Sequence, residues 1–254
     1  MKVAAYQAPL IPCGSLEAID LIRRRVHWCE AEGVEVLCCP EAILGGLAED
    51  AAHPADFAMN VASGQLSTAL KPLASKTVTT IVGFTETTGN ETFYNSAAVF
   101  HRGSVIGLFR KLYPAIRKSI YRAGEDVPVF RVGDLTFGII VCNDSNYREP
   151  ARLMASQGAT ALFIPTNNGL PITKADVVAD ARKADIALAT QNDMWIIRAD
   201  VAGRTADLIS YGSSGIVDPD GMVIQTAKRL SEDILVADIG TARAGLPCFS
   251  APLR

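Results

Sequence analysis

An α/β fold, with mixed sheets covered by helices, is what this sequence predicts, and three observations carry it. A strand, a helix and a second strand follow one another within the first 40 residues, a βαβ unit whose two strands are parallel. Three hairpin signals interrupt the alternation of strands and helices, which a purely parallel sheet does not predict. The run VEVLCC reads as a strand buried on both faces, as layered α/β folds require.

KVAAYQ opens the chain as a short buried strand. Residues 15–32 follow as a helix. Leu16, Ile19, Ile22, Val26 and Cys29 recur at helical spacing, Ser15 suits the N-cap, Glu17 the first turn, and Gly33 the position just past the end. VEVLCC (34–39) is the next strand, and Pro40, lacking an N–H, ends it. Residues 64–76 look helical, and TTIVGF is the strand after them. NSAAVFH and SVIGLFR flank Arg102-Gly103, and VPVFRV and LTFGIIVC flank Gly133-Asp134, which makes two hairpins. A helix over 147–157, the strand ATALFIP, a helix over 173–190 and the strand MWIIRA come next, the second helix opening on the capping pair Thr173 and Asp176. SSGIVD and MVIQTA flank Pro219-Asp220-Gly221 as the third hairpin, and ILVADI is the last strand. No linker, low-complexity stretch or repeat divides the chain, so residues 1–254 read as one domain.

Composition excludes several classes. Of 254 residues, 49% are hydrophobic and 20% charged, too apolar for intrinsic disorder. A net charge of −3 offers no basic surface to nucleic acid or an acidic membrane, and Arg23, Arg24 and Arg25 read as a solvated helix face. No run reaches the roughly 18 apolar residues of a membrane span. The N-terminal run is too short for a signal peptide, so the expected setting is cytoplasmic. Six cysteines (Cys13, Cys29, Cys38, Cys39, Cys142 and Cys248) without a CxxC pair do not make a secreted disulfide scaffold, and three histidines make a poor zinc set. Phosphate-binding glycine loops are absent, and GSSG at 212–215 reads as a turn, not a nucleophile elbow.

Polar groups at the ends of apolar strands face the functional crevice of an α/β fold. Three stand out: Glu41 after VEVLCC and Pro40, Lys111 after SVIGLFR, and Cys142 at the end of FGIIVC. Taken singly, each has a plain structural reading as solvated charge or small core hydrophobe. Together they are the parts of a nucleophilic site that needs no histidine. Glu41 would take the thiol proton, Lys111 would stabilise the thiolate and an oxyanion, and the backbone N–H of Asn143 would be a second oxyanion donor.

The segments VAAYQAP, LCCPEAILGG, FYNSAAVFHRGSVIGLFRKLYP, FGIIVCNDSNYREPARLMASQGA, ALFIPTNNG and YGSSGIVDPDGMVIQTA, in this order, resemble the nitrilase superfamily of carbon–nitrogen hydrolases. The resemblance runs from about residue 3 to about residue 239. It implies a four-layer α-β-β-α sandwich, no metal or organic cofactor, a small-molecule substrate, and pairing into a homodimer or larger homo-oligomer. It also implies that Glu41 acts as general base and later acid, Lys111 as transition-state stabiliser and Cys142 as nucleophile. The expected reaction is cysteine-dependent hydrolysis of a small linear amide or N-carbamoyl compound through a thioester. Asn143-Asp144 after the nucleophile looks more like the amide and N-carbamoyl hydrolases than the true nitrilases.

One departure concerns a second Glu that many members carry after the lysine. Aligned without gaps on Tyr121 and Gly124, Ser119 stands there, with Glu125 or Asp126 as the alternative if the loop takes another path. A serine at that place favours an anionic substrate over a cationic one. Tyr147 and Asn167 are candidate pocket walls by position, and Arg117, Lys118 and Arg148 candidate partners for a substrate carboxylate. Three other readings stay open: a ligand- or partner-binding protein of the same fold with little turnover, hydrolysis of a nitrile, and thiol redox chemistry at vicinal Cys38 and Cys39.

Overall fold

The computed structural model describes residues 1–11, 15, 17–47, 54–114, 120–171, 177–205 and 208–241, without the side chains of 177–180. Among the described residues two sheets form. The larger has ten strands: β1 (Lys2–Pro9), β2 (Val36–Cys38), β3 (Met59–Asn60), β4 (Thr79–Gly89), β5 (Thr92–His101), β6 (Ser104–Arg110), β10 (Leu170–Pro171), β12 (Val201–Arg204), β13 (Leu208–Ser210) and β16 (Asp233–Asp238). The smaller has six: β7 (Val129–Val132), β8 (Leu135–Ile139), β9 (Ala161–Pro165), β11 (Trp195–Ala199), β14 (Gly215–Val217) and β15 (Val223–Thr226). The larger runs β10-β13-β12-β1-β2-β4-β5-β6, with β16 antiparallel to β1 and β3 parallel to β4; the smaller runs β15-β14-β11-β9-β8-β7.

Alternation along each strand makes the layers. Val3 and Ala5 of β1, Val36 and Cys38 of β2, and Ala97 and Val99 of β5 share a core with Phe137, Ile139 and Phe163 of the smaller sheet. Their neighbours Ala4, Tyr6, Leu37, Val82 and Phe84 point the other way, onto Ile22, Val26 and Cys29 of α1 (Glu17–Glu32) and Leu66 and Leu70 of α2 (Gln65–Leu70). On the far side α3 (Arg148–Ser156) and α4 (Val177–Asn192) cover the smaller sheet through Ala151, Met154, Leu188 and Ala189. The result is the expected α-β-β-α sandwich. Burial on both faces explains why the inner strands are apolar throughout rather than alternating.

The opening βαβ unit forms as read, with β1 and β2 parallel and Ser15 Oγ accepting the Glu17 N–H at 3.2 Å. The three expected hairpins pair antiparallel. Several boundaries differ. Only Val36–Cys38 of VEVLCC pairs, because the chain must turn at Pro40. The helix over 64–76 is α2 followed by a 3-10 turn at Lys71–Leu73. A fourth hairpin joins β4 to β5 through Asn90 and Glu91, both at positive φ. β8 ends at Ile139, so Cys142 does not end a strand but starts a 3-10 turn, Cys142–Asn146. Leu16, Thr173 and Asp176 lie outside the described residues. None of the described helices is long and apolar enough to cross a membrane.

Candidate active site

Two turns and one strand end converge between the sheets. The first turn carries Glu41 out of β2. Its N–H donates to the Thr166 carbonyl at 3.2 Å, and the next residue, Ala42, is held at φ +45°. This turn lies directly on β4 at Gly83, where a Cβ would collide with the Pro40 carbonyl and with the backbone of Glu41 and Ala42. Lys111 follows β6, its N–H on the Asn95 carbonyl and its carbonyl on the Gly124 N–H, each at 2.8 Å.

Side chains complete the arrangement. Lys111 Nζ lies 2.5 Å from Glu41 Oε1, and both residues are buried, at 4% and 1% exposure. Asn95 Nδ2 donates to the same Oε1 at 2.8 Å, and the Asn167 N–H donates to Oε2 at 3.0 Å. Both carboxylate oxygens are therefore held by donors, which fixes the orientation of the group. Burial pulls the Lys111 pKa down, but the Glu41 carboxylate outweighs it and leaves the ammonium above its ordinary value.

Cys142 sits at φ +46°. For a non-glycine residue that conformation costs about 1–3 kcal/mol and persists only where neighbours over-determine it. Here Ser145 Oγ donates to the Cys142 carbonyl at 2.7 Å. The Asp144 carboxylate accepts the N–H groups of Val141 at 3.0 Å and Tyr113 at 2.7 Å, tying the turn to the segment after Lys111. Bonds to a charged acceptor are worth about 1.5–3 kcal/mol each, enough to hold the strained residue. Burial pushes the Cys142 thiol up to about 12, with the Glu41 charge adding and the Lys111 and Arg198 charges opposing. At neutral pH the resting group is a thiol, so a nucleophilic role requires a base.

Beneath this turn lies a buried polar network. Arg198 of β11, 1% exposed, donates two bonds from Nε and one from Nη2 to Asp185, one from Nη1 to Thr166 Oγ1 at 2.8 Å and one from Nη2 to Ser145 Oγ at 3.1 Å. Asp200 accepts from the N–H and Nδ2 of Asn168 and from the N–H and Oγ of Ser213, and Asn168 Oδ1 lies 4.0 Å from Cys142 Sγ. Gln7 of the opening strand donates to the carbonyls of Lys228 and Ser231.

Glu41, Lys111 and Cys142, singled out in the sequence, are brought together. Asn143 keeps its side chain on the Tyr113 carbonyl at 3.0 Å. Asn167 meets Glu41 through its backbone, its Oδ1 accepting the Gly169 N–H, so its side chain is not aimed at Glu41. Tyr147 is 43% exposed and stacks on Tyr113 with ring centroids 3.7 Å apart. Arg148 is exposed. Ser119, Arg117 and Lys118 lie outside the described residues. Glu125 and Asp126 are exposed and line, with Tyr94 and Arg110, a cavity of about 210 Å³. Cys38 and Cys39 are fully buried, one in each core, and burial raises both thiols; this overturns the vicinal-thiol redox reading. Asn95, Asp144, Asn168, Arg198 and Asp200 were missed. Asn95 and Asp144 fall inside segments that drew attention, but nothing in their spacing separates them from surface polar residues.

The chain has relatives and structural neighbours. It is 29% identical to a nitrilase from Pyrococcus abyssi over 212 residues, 82% of this chain and 78% of that one. It is 27% identical to an (R)-stereoselective amidase from a Pseudomonas species, covering 78% and 71%. A crystal structure of an amidase from a Nesterenkonia species superposes with a TM-score of 0.80 at 21% identity, covering 96% of this chain and 91% of that one. Residues 2–246 match the carbon–nitrogen hydrolase family. With that match spanning nearly the whole chain, over the sandwich and the buried Glu41–Lys111 pair described above, the protein belongs to the carbon–nitrogen hydrolase family.

Proposed function

We propose that this chain hydrolyses the carbon–nitrogen bond of a small linear amide or N-carbamoyl compound through a thioester at Cys142. The observation that carries the reading is the buried Glu41–Lys111 pair at 2.5 Å, whose two charges both act on the Cys142 thiol. The carboxylate has two further donors, from Asn95 and Asn167, so it is oriented before substrate arrives.

In the proposed cycle Glu41 takes the Sγ proton as sulfur attacks the carbonyl carbon. The oxyanion gathers charge between the Lys111 ammonium and the Asn143 backbone N–H. Glu41 returns the proton to the leaving nitrogen, the carbon–nitrogen bond breaks, and ammonia or an amine departs. Water then attacks the thioester, giving a proton to Glu41. The carbon–sulfur bond breaks, the acid leaves, and Sγ regains its proton from Glu41. Asn143-Asp144 after the nucleophile, which looks more like the amide and N-carbamoyl hydrolases than the true nitrilases, supports an amide over a nitrile. The cytoplasmic setting and pairing with a second copy expected from the sequence belong to the same proposal.

An ammonia-release screen over linear amides, N-carbamoyl amino acids and nitriles, with Cys142→Ala as the blank, tests it. Release from an amide or carbamoyl compound that vanishes in the blank is expected. Release confined to nitriles, or surviving in Cys142→Ala, refutes the reading.

A further inference from the structure

Arg198 is the largest fully buried side chain in the described protein, and no step of the proposed cycle uses it. A buried ion pair is a poor source of stability, because desolvation of both charges offsets their attraction. Its placement is therefore informative. Arg198 donates to Ser145 Oγ, and Ser145 Oγ donates to the Cys142 carbonyl. It also donates to Thr166 Oγ1, and the Thr166 carbonyl accepts the Glu41 N–H. One rigid planar fork thus reaches the supports of both turns.

The carboxylate it binds is shared. Asp185 bridges Arg198 and Arg182, both through charged contacts, so two guanidiniums share one carboxylate. Arg182 Nη2 donates to the carbonyls of Ser213 and Ser214. The charges facing Cys142 are Glu41 and Lys111 from the larger sheet, Arg198 from β11 and, more weakly, Asp200 just beyond it.

We propose that Arg198 is a positioning residue for Cys142: through Ser145 it holds the nucleophile turn in its left-handed conformation, through Thr166 it holds the Glu41 turn in the same frame, and its charge favours the thiolate. The inference rests on the reading of Cys142 as nucleophile given above. Two groups of variants separate position from charge. Arg198→Met with Asp185→Leu replaces the pair by apolar residues and leaves no unpaired Asp185 carboxylate; Arg182 loses that partner and keeps its bonds to the Ser213 and Ser214 carbonyls. Ser145→Ala cuts the relay and leaves the ion pair intact.

The probe is iodoacetamide, with alkylation of Cys142 followed by peptide mapping between pH 6 and 10. In the double variant the rate at pH 8 should fall about tenfold or more, further than in Ser145→Ala, and Arg198→Lys, which keeps the charge without the planar fork, should recover part of the difference. In Ser145→Ala the rate should fall at least about threefold at every pH without movement along the pH axis. Circular dichroism reports folding, and if the double variant does not fold, Ser145→Ala decides alone. A folded variant of either kind that alkylates within about twofold of the parent across the range overturns the proposal. Turnover that survives in Cys142→Ala overturns the nucleophile reading instead, whatever these variants do.

Discussion

Gly83→Ala should disable the site without touching any group that reacts. A Cβ on Gly83 would press on the Pro40 carbonyl oxygen and lie 2.5 Å from Ala42 N and 2.8 Å from Glu41 Cα. Ordinary contacts of this kind are about 3.5 Å, so the Glu41 turn must move away by roughly 1 Å. All three atoms are backbone, and no side-chain rotation relieves them. Glu41 is held by contacts of 2.5, 2.8 and 3.0 Å to Lys111, Asn95 and the Asn167 N–H, and a 1 Å displacement breaks at least one. A misplacement of that size costs about 100-fold in rate. Overpacking costs about 1–3 kcal/mol, which lowers Tm by roughly 2–12 °C for a chain of this size. Ammonia release gives kcat, and circular dichroism gives folding and Tm. A folded Gly83→Ala protein that keeps kcat within about threefold of the parent would show that the turn's seat on β4 does not position the base.

Four further outcomes are expected. Iodoacetamide should label Cys142 ahead of Cys29, Cys38 and Cys39, which are buried; mapping that finds any of those three labelled first removes Cys142 from its role. Glu41→Gln and Lys111→Ala should each lower kcat by about 100-fold or more with the fold retained, and a loss under about tenfold excludes that residue from the reaction. Asp144 is raised from 3.8 to about 6, chiefly by burial, against the N–H groups of Val141 and Tyr113. Between those values the native state binds more protons than the unfolded chain, so this group's stabilisation, full at low pH, is lost as pH rises toward 6. Asp144→Asn should flatten that part of the Tm–pH profile, and an identical slope in the variant refutes the assignment. Ser119→Glu should change the ratio of kcat/KM for anionic against cationic amides; an equal response of both places Ser119 outside the pocket.

The groups visible from sequence were those standing where an apolar run stops. Glu41 after Pro40 and Lys111 after SVIGLFR break the pattern of their own segments, so their positions alone mark a crevice. Arg198 breaks a run too, in MWIIRA, but an arginine in a short strand reads as an outward-facing residue until the far layer is known. Asp185 sits among the alanines and polar residues of α4, where helical periodicity gives it no distinction. Asn167 was read as a pocket wall by position; its contact with Glu41 is made by the backbone N–H, which no side-chain pattern marks. Strand lengths failed for a related reason. β4 continues as TETTG, where Thr85 and Glu86 are buried although their residue types carry no burial signal, and the positive φ of Asn90 and Glu91 closes its hairpin with β5. β3, β10, β12 and β13 have two to four residues each, too few to show a period.

The place of β1 has a consequence for how the chain is made. Its three neighbours are β2, parallel through Val3 and Val36, β12, parallel at Ala8 and Val201, and β16, antiparallel from Lys2–Asp238 to Gln7–Asp233. Two of the three lie some 200 residues downstream. At about 5–20 residues per second, translation leaves the first strand emerged for roughly ten seconds or more before β16 exists to cover it. Until β12 is made only β2 is available beside it, and AAY in VAAYQ is an apolar stretch with an open ladder. Contacts this far apart in sequence also slow folding, since the chain must close a long loop before they reward it. A release at residue 230 would yield a chain without β16, its first strand lacking that antiparallel partner from Lys2 to Gln7.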